Sequence, residues 1–105
     1  MSEIVTVANE AAFNERALQG DACIVFFDAS WCGACRGVET LLRETLAESP
    51  SLRVVRVDVD TLPALPRRYG VAGLPTLVLF VRGQPASIKV GEVDRENLDA
   101  WLEMA

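Results

Sequence analysis

The chain has 105 residues, half of them apolar and 24% charged, with a net charge of −5, three cysteines and no histidine. This size suits a single domain, residues 1–105, whose core needs neither metal nor disulfide staples. The acidic balance excludes a phosphate-backbone binder, and the lack of histidine excludes Cys–His pairs, Ser–His–Asp triads and a well-furnished structural zinc site.

Ile4–Val7 reads as a short strand, and Asn9 can cap a helix carrying Phe13, Ala17 and Leu18 that ends at Gly20-Asp21. Cys23–Phe27 is a continuous β-prone apolar run, so a strand buried on both faces is expected. After Ala29-Ser30-Trp31-Cys32, a long helix runs to about Ser49. It places Val38, Leu41, Leu42, Thr45 and Leu46 at helical spacing, and Pro50 breaks it. Arg53–Val59 alternates, with Val55, Val57 and Val59 on one face and Val54, Arg56 and Asp58 on the other.

Thr61–Tyr69 reads as a short helix containing Pro63 and Pro66, closed by Gly70. Thr76–Val81 is a second buried strand, Gly83-Gln84-Pro85 a hairpin turn, and Ser87–Val90 its antiparallel return. Asp94 caps a last helix with Leu98, Trp101 and Leu102 inward, and Val93 and Leu98 are spaced as a hydrophobic staple. The order β-α-β-α-β-α-β-β-α predicts an α/β fold, a five-stranded mixed sheet with helices on both faces. Right-handed crossovers would make the middle strands parallel, and the hairpin would add an antiparallel pair. The apolar runs fall far short of the ~20 residues of a membrane span. The N-terminus lacks the pattern of a secretory signal, so a cytoplasmic location is expected.

The chemistry concentrates in Trp31–Arg36. Cys32 and Cys35 stand three apart at a strand-to-helix junction, on one helical face, so their sulfurs can meet. Unsatisfied N–H groups and the dipole of the helix start favour a thiolate, most of all at Cys32, and Arg36 adds a positive charge nearby. Cys32 is therefore the expected nucleophile and Cys35, one turn further in, the resolving thiol. Gly33 and Ala34 are small enough for a substrate chain to approach, and Trp31 offers an apolar wall. No second CxxC pair is present to complete a metal site. Cys23, in a buried strand, reads most simply as a small core residue, with a regulatory thiol as the alternative. Asp58 and Asp60 read as solvated acids at a strand end without further cation ligands.

Trp31-Cys32-Gly33-Ala34-Cys35 resembles the WCGPC motif of the thioredoxin family. Tyr69-Gly70-Val71-Ala72-Gly73-Leu74-Pro75-Thr76-Leu77 is similar to that family's YGIRGIPTL stretch, and Phe80, Gly83 and Lys89-Val90-Gly91 match its later landmarks. The resemblance covers nearly the whole chain. It implies the thioredoxin fold, a protein-disulfide reductase needing no bound cofactor, disulfide-containing protein substrates, recharging by a flavin- and NADPH-dependent thioredoxin reductase, and a monomer without nucleic-acid or membrane partners. It further implies that Pro75 is cis and faces the redox pair, where the sequence by itself would allow an ordinary trans proline. Leu74 would then offer its backbone to an extended substrate. Trp31, Gly33, Ala34, Val59, Gly73, Leu74, Pro75, Val90 and Gly91 would form the docking surface around Cys32.

Two positions depart from the family. Ala34 replaces the usual proline, restoring a backbone N–H near the thiolate, which points to a more oxidising couple. Phe26 replaces the usual buried aspartate, which helps move the proton of the resolving cysteine. Asp28 lies ~6–7 Å further along the same strand face. It is either a partial substitute as proton acceptor, with Arg56 or Asp58 setting its charge, or a solvated strand-end residue. These departures leave open a dedicated oxidase or isomerase for a narrow partner, or a redox-independent binding or chaperone-like module.

Overall fold

Capping fixes where the helices begin, and alternation along the strands fixes which residues meet inside. The computed structural model describes residues 3–104. In chain order these form β1 (Ile4–Thr6), α1 (Glu10–Ala17), β2 (Ala22–Asp28), α2 (Gly33–Glu48), β3 (Val54–Asp58), α3 (Ala64–Arg68), β4 (Thr76–Val81), β5 (Gln84–Val90) and α4 (Arg95–Met104). Asn9 caps α1 through its side-chain oxygen, which accepts the Ala12 N–H at 2.8 Å. Asp94 does the same for α4 with the Asn97 N–H, also at 2.8 Å. Each bond satisfies one of the N–H groups that a helix start leaves over.

The strands form one sheet in the order β1-β3-β2-β4-β5. β2 lies at its centre and buries both faces, as its unbroken apolar run predicts. Ile24 and Phe26 point into one core layer, with Val38, Leu42 and Leu46 of α2 and Leu98 of α4. Cys23, Val25 and Phe27 point into the other, with Phe13 and Ala17 of α1 and Leu65 of α3. In this second layer Phe13, Tyr69 and Phe80 meet as tilted and edge-to-face rings, with centroids 5.0 and 6.0 Å apart. That geometry is worth ~0.5–1.5 kcal/mol per pair beyond simple burial.

Two expectations need correction. The middle strands are not all parallel: β1, β3 and β2 are, but β4 runs antiparallel to β2 as well as to β5. Between β3 and β4 the chain forms only the five-residue α3 and loops, and no crossover helix spans the sheet. β4 starts at the end of the sheet where β3 finishes, with Thr76 beside Phe27 and Asp58 beside Asp28.

The return strand of the hairpin also begins earlier than predicted, at Gln84, with Val81 and Gln84 paired. The turn is Arg82-Gly83, both at positive φ (51° and 80°), the two-residue geometry that matches strand twist. A side chain at position 83 would come within 2.8 Å of the Leu18 carbonyl, so glycine is required there. Pro85 is tolerated inside β5 because β5 is an edge strand, beside a register shift at Leu79/Phe80. No helix among the described residues is long and apolar enough to cross a membrane.

Candidate active site

Cys32 is the N-cap of α2, and its sulfur accepts the Cys35 N–H at 3.2 Å. A sulfur thus occupies the capping position usually held by a serine or aspartate oxygen. Cys32 and Cys35 form a disulfide, with their Cα atoms 5.3 Å apart. Cys32 is 7% exposed and Cys35 0%, so the predicted asymmetry between an outer and an inner sulfur is present. Cys23 is buried in the opposite core layer, and burial pushes its thiol up to about 11, against an ordinary 9.0. At neutral pH it is a protonated, enclosed core side chain, the simpler of the two readings above.

Two shallow grooves border the disulfide. One is lined by Trp31, Val59, Gly73 and Leu74 together with Pro66, Val71 and Ala72, and so gathers four of the predicted docking residues. The other is lined by Gly33, Ala34, Gly37, Val38, Leu41, Glu92 and Val93. Gly33 and Gly37 face open space. Trp31 is 68% exposed, and its indole N–H is pinned to Asp60 Oδ2 at 2.8 Å.

The Leu74–Pro75 bond is cis. Leu74 precedes β4, and among the described residues nothing hydrogen-bonds its backbone N–H or C=O. Pro75 is buried, and its carbonyl accepts the Gly91 N–H at 2.8 Å. Val90 is exposed and lies beside Gly73, within 3.9 Å of the point where a side chain would start.

Asp28 ends β2 and is 0% exposed, which overturns the solvated alternative. Its Oδ1 accepts the Ala29 N–H at 2.7 Å and an Arg36 N–H at 2.5 Å. Its Oδ2 accepts Arg36 at 2.5 Å and is ion-paired with Arg56. These hydrogen bonds push the Arg36 guanidinium above its ordinary range. Arg36 also reaches Glu39, which bridges to Arg43 and Arg56. Asp58, the other residue considered as a partner for Asp28, instead turns its Oδ1 to the N–H groups of Asp60 and Thr61. Phe26 is buried in the same core layer as the disulfide.

Glu39 and Asp60 are the participants that the sequence reading missed. Glu39 had a signal, standing three residues after Arg36 and four before Arg43 on one helical face. The Trp31–Asp60 contact spans 29 residues and had none. Among the described residues no group of acids and cysteines could hold a metal ion.

Comparison with known proteins agrees with this geometry. A family model described as Thioredoxin matches residues 4–104. A thioredoxin of Rhodospirillum rubrum is 37% identical over 97 residues, covering 90% of this chain and 93% of that protein. A thioredoxin of Pseudomonas aeruginosa is 33% identical over 105 residues, covering 98% and 97%. A solved mutant thioredoxin from Halobacterium salinarum superposes with a TM-score of 0.86 at 36% identity, over 97% of this chain and 89% of that one.

Proposed function

The chain belongs to the thioredoxin family, and from that premise we propose that Cys32 is its attacking thiol and Cys35 its resolving thiol. The fold is the thioredoxin fold, and the activity is dithiol–disulfide exchange, the reduction of protein disulfides. The observation that carries the assignment of roles is the position of the pair: the outer sulfur caps α2 and the inner one is sealed beneath it.

The Cys32 thiolate attacks a substrate disulfide, forming Cys32–S–S–substrate and freeing one substrate thiol. The sulfur of Cys35 then attacks that of Cys32. The Cys32–Cys35 bond closes, and the second substrate sulfur departs with the proton Cys35 gives up. Two electrons pass to the substrate, and both are held on the cysteines, so the step needs no bound cofactor. The helix start favours negative charge on Cys32, which makes it both a good attacking and a good leaving sulfur.

Trp31, Val59, Gly73, Leu74, Pro75, Val90 and Gly91, with Gly33 and Ala34, form the docking surface in this reading. The unpaired backbone of Leu74 is suited to an extended substrate segment. Asp28, Arg36 and Arg56 act on the pair by position, the guanidinium of Arg36 being taken up by Asp28 and Glu39. The four contacts on Asp28 fill the roughly four acceptor sites of a carboxylate and leave none for the Cys35 proton. Two cores share one sheet, which supports a single domain.

Family membership implies protein disulfides as substrates and a thioredoxin reductase as electron donor. The finer reading is a general reductase of the cytoplasm recharged from NADPH. Insulin reduction driven by NADPH and thioredoxin reductase tests it. Turnover is expected. Activity with dithiothreitol alone would favour a dedicated oxidoreductase for a narrow partner, and no reduction from either donor would refute the assignment of the pair.

Ala34 tunes the couple. It sits in the first turn of α2, where its N–H is one of the unsatisfied donors near Cys32. That donor stabilises the reduced form and makes the pair more oxidising. Ala34→Pro removes it at a position where a helix tolerates proline. The variant is expected to be more reducing by about 30 mV, a tenfold change in equilibrium constant, in a titration against glutathione. An equal or higher potential would sink this account.

A further inference from the structure

Asp28 is the one charged residue among the fully buried side chains described, and its contacts are arranged around the redox segment. Its carboxylate holds the N–H of Ala29, the first residue after β2. The Ala29 carbonyl in turn accepts the Cys32 N–H at 3.1 Å. The same carboxylate grips the guanidinium of Arg36, the residue directly after Cys35. Segment 29–36, which contains both cysteines, is therefore tied at both ends to one buried group. Arg56, from the neighbouring strand β3, fixes that group to the sheet.

We propose that Asp28, Arg36 and Arg56 form a bracket that keeps Cys32 and Cys35 in reach of each other when their disulfide is open. The proposal rests on the reading of these cysteines as the redox pair. The three residues are positioning residues: they act through the backbone of the segment and touch no substrate.

Opening the disulfide removes the only covalent closure of the segment, while the ionic closure through Asp28 does not depend on it. A resolving thiol held near its target attacks faster and closes the ring more favourably than one on a loose segment. The bracket should thus raise both the rate at which Cys35 displaces a substrate from Cys32 and the equilibrium constant for ring closure. In the equilibrium with glutathione, Cys32 and Cys35 lose two protons and two electrons and form one S–S bond, while one glutathione disulfide takes them up and splits into two thiols.

Arg36→Ala tests this and separates it from proton transfer, because it breaks the bracket and leaves the Asp28 carboxylate in place. Arg36 is nearly half exposed on α2, so the variant should fold. Two effects are expected: a roughly tenfold fall in the glutathione equilibrium constant, a potential about 30 mV more oxidising, and a roughly tenfold slower release of a preformed mixed disulfide on Cys32. Arg36→Lys, which keeps the charge and one donor, should recover part of both. Asp28→Asn, which keeps an acceptor for Ala29 but loses the ion pairs, should shift both in the same direction as Arg36→Ala. Wild-type potential and release rate in Arg36→Ala would overturn the bracket. Faster release would also overturn it, since a carboxylate freed to take a proton would then be the active element. Loss of thermal stability with both redox readouts unchanged would reduce the cluster to an ordinary structural contact. If the wild-type chain itself failed to reduce insulin with dithiothreitol, the assignment of the pair would fall instead, whatever the variants did.

Discussion

Cys35→Ser is expected to arrest the chain on its substrate. With the inner thiol gone, Cys32 can still open a substrate disulfide, but a hydroxyl is a far weaker nucleophile than a thiol and cannot displace the substrate. Insulin turnover should fall on the order of a thousandfold or more, and a covalent Cys32–substrate adduct should accumulate, visible by mass spectrometry and lost on adding dithiothreitol. Cys32→Ser should lose turnover equally and form no adduct, because Cys35 is sealed at 0% exposure. An adduct on Cys35 in Cys32→Ser, with none on Cys32 in Cys35→Ser, would reverse the roles. A protein acting by binding alone would hold its partner with both cysteines replaced, and no reducible adduct would form in either single variant.

Phe26→Asp, which installs the acid the family usually carries there, is expected to destabilise the chain rather than improve it. Phe26 is 0% exposed and packs in the layer that holds both cysteines, Val38 and Leu77. Removing a buried phenylalanine costs ~3–5 kcal/mol before any charge is considered. The new carboxylate would lie on the same strand face as Asp28, ~6–7 Å away, where Arg56, its register neighbour on β3, is already paired. Its charge would be uncompensated or shared, which adds to the cost. Chemical denaturation should show a loss of at least ~3 kcal/mol. A variant within ~1 kcal/mol of wild type that also released mixed disulfides faster would show that this core accepts the family's acid.

Local pattern carried much of this site. The Cys32–Cys35 spacing at a strand-to-helix junction is a short-range signal, and the structure has the sulfur at the cap of α2. The alternation of β2 put Asp28 on the face of Phe26, where its partners from α2 and β3 are found. Its burial was not legible, because it depends on Arg56, 28 residues away and brought near only by the pairing of β2 with β3. The direction of β4 was missed for a related reason. The crossover rule sets the hand of a connection between parallel strands and does not say whether the next strand is parallel; here the connection through α3 stays at one end of the sheet. The return strand was placed three residues late because Pro85 looks like a turn residue until β5 is known to be the edge of the sheet.

The sheet also decides what oxidation can do to this chain. Cys23 belongs to the core layer on one side of β2, and Cys32 and Cys35 belong to the layer on the other. A wrong pairing with Cys23 would require a sulfur to pass through a hydrogen-bonded sheet, so it demands unfolding rather than a side-chain rotation. An excess of oxidant therefore finds a single exchangeable bond to make, and the same bond can be unmade. The molecule counts electrons in twos and returns to its starting connectivity after each cycle, with its third thiol insulated from the exchange.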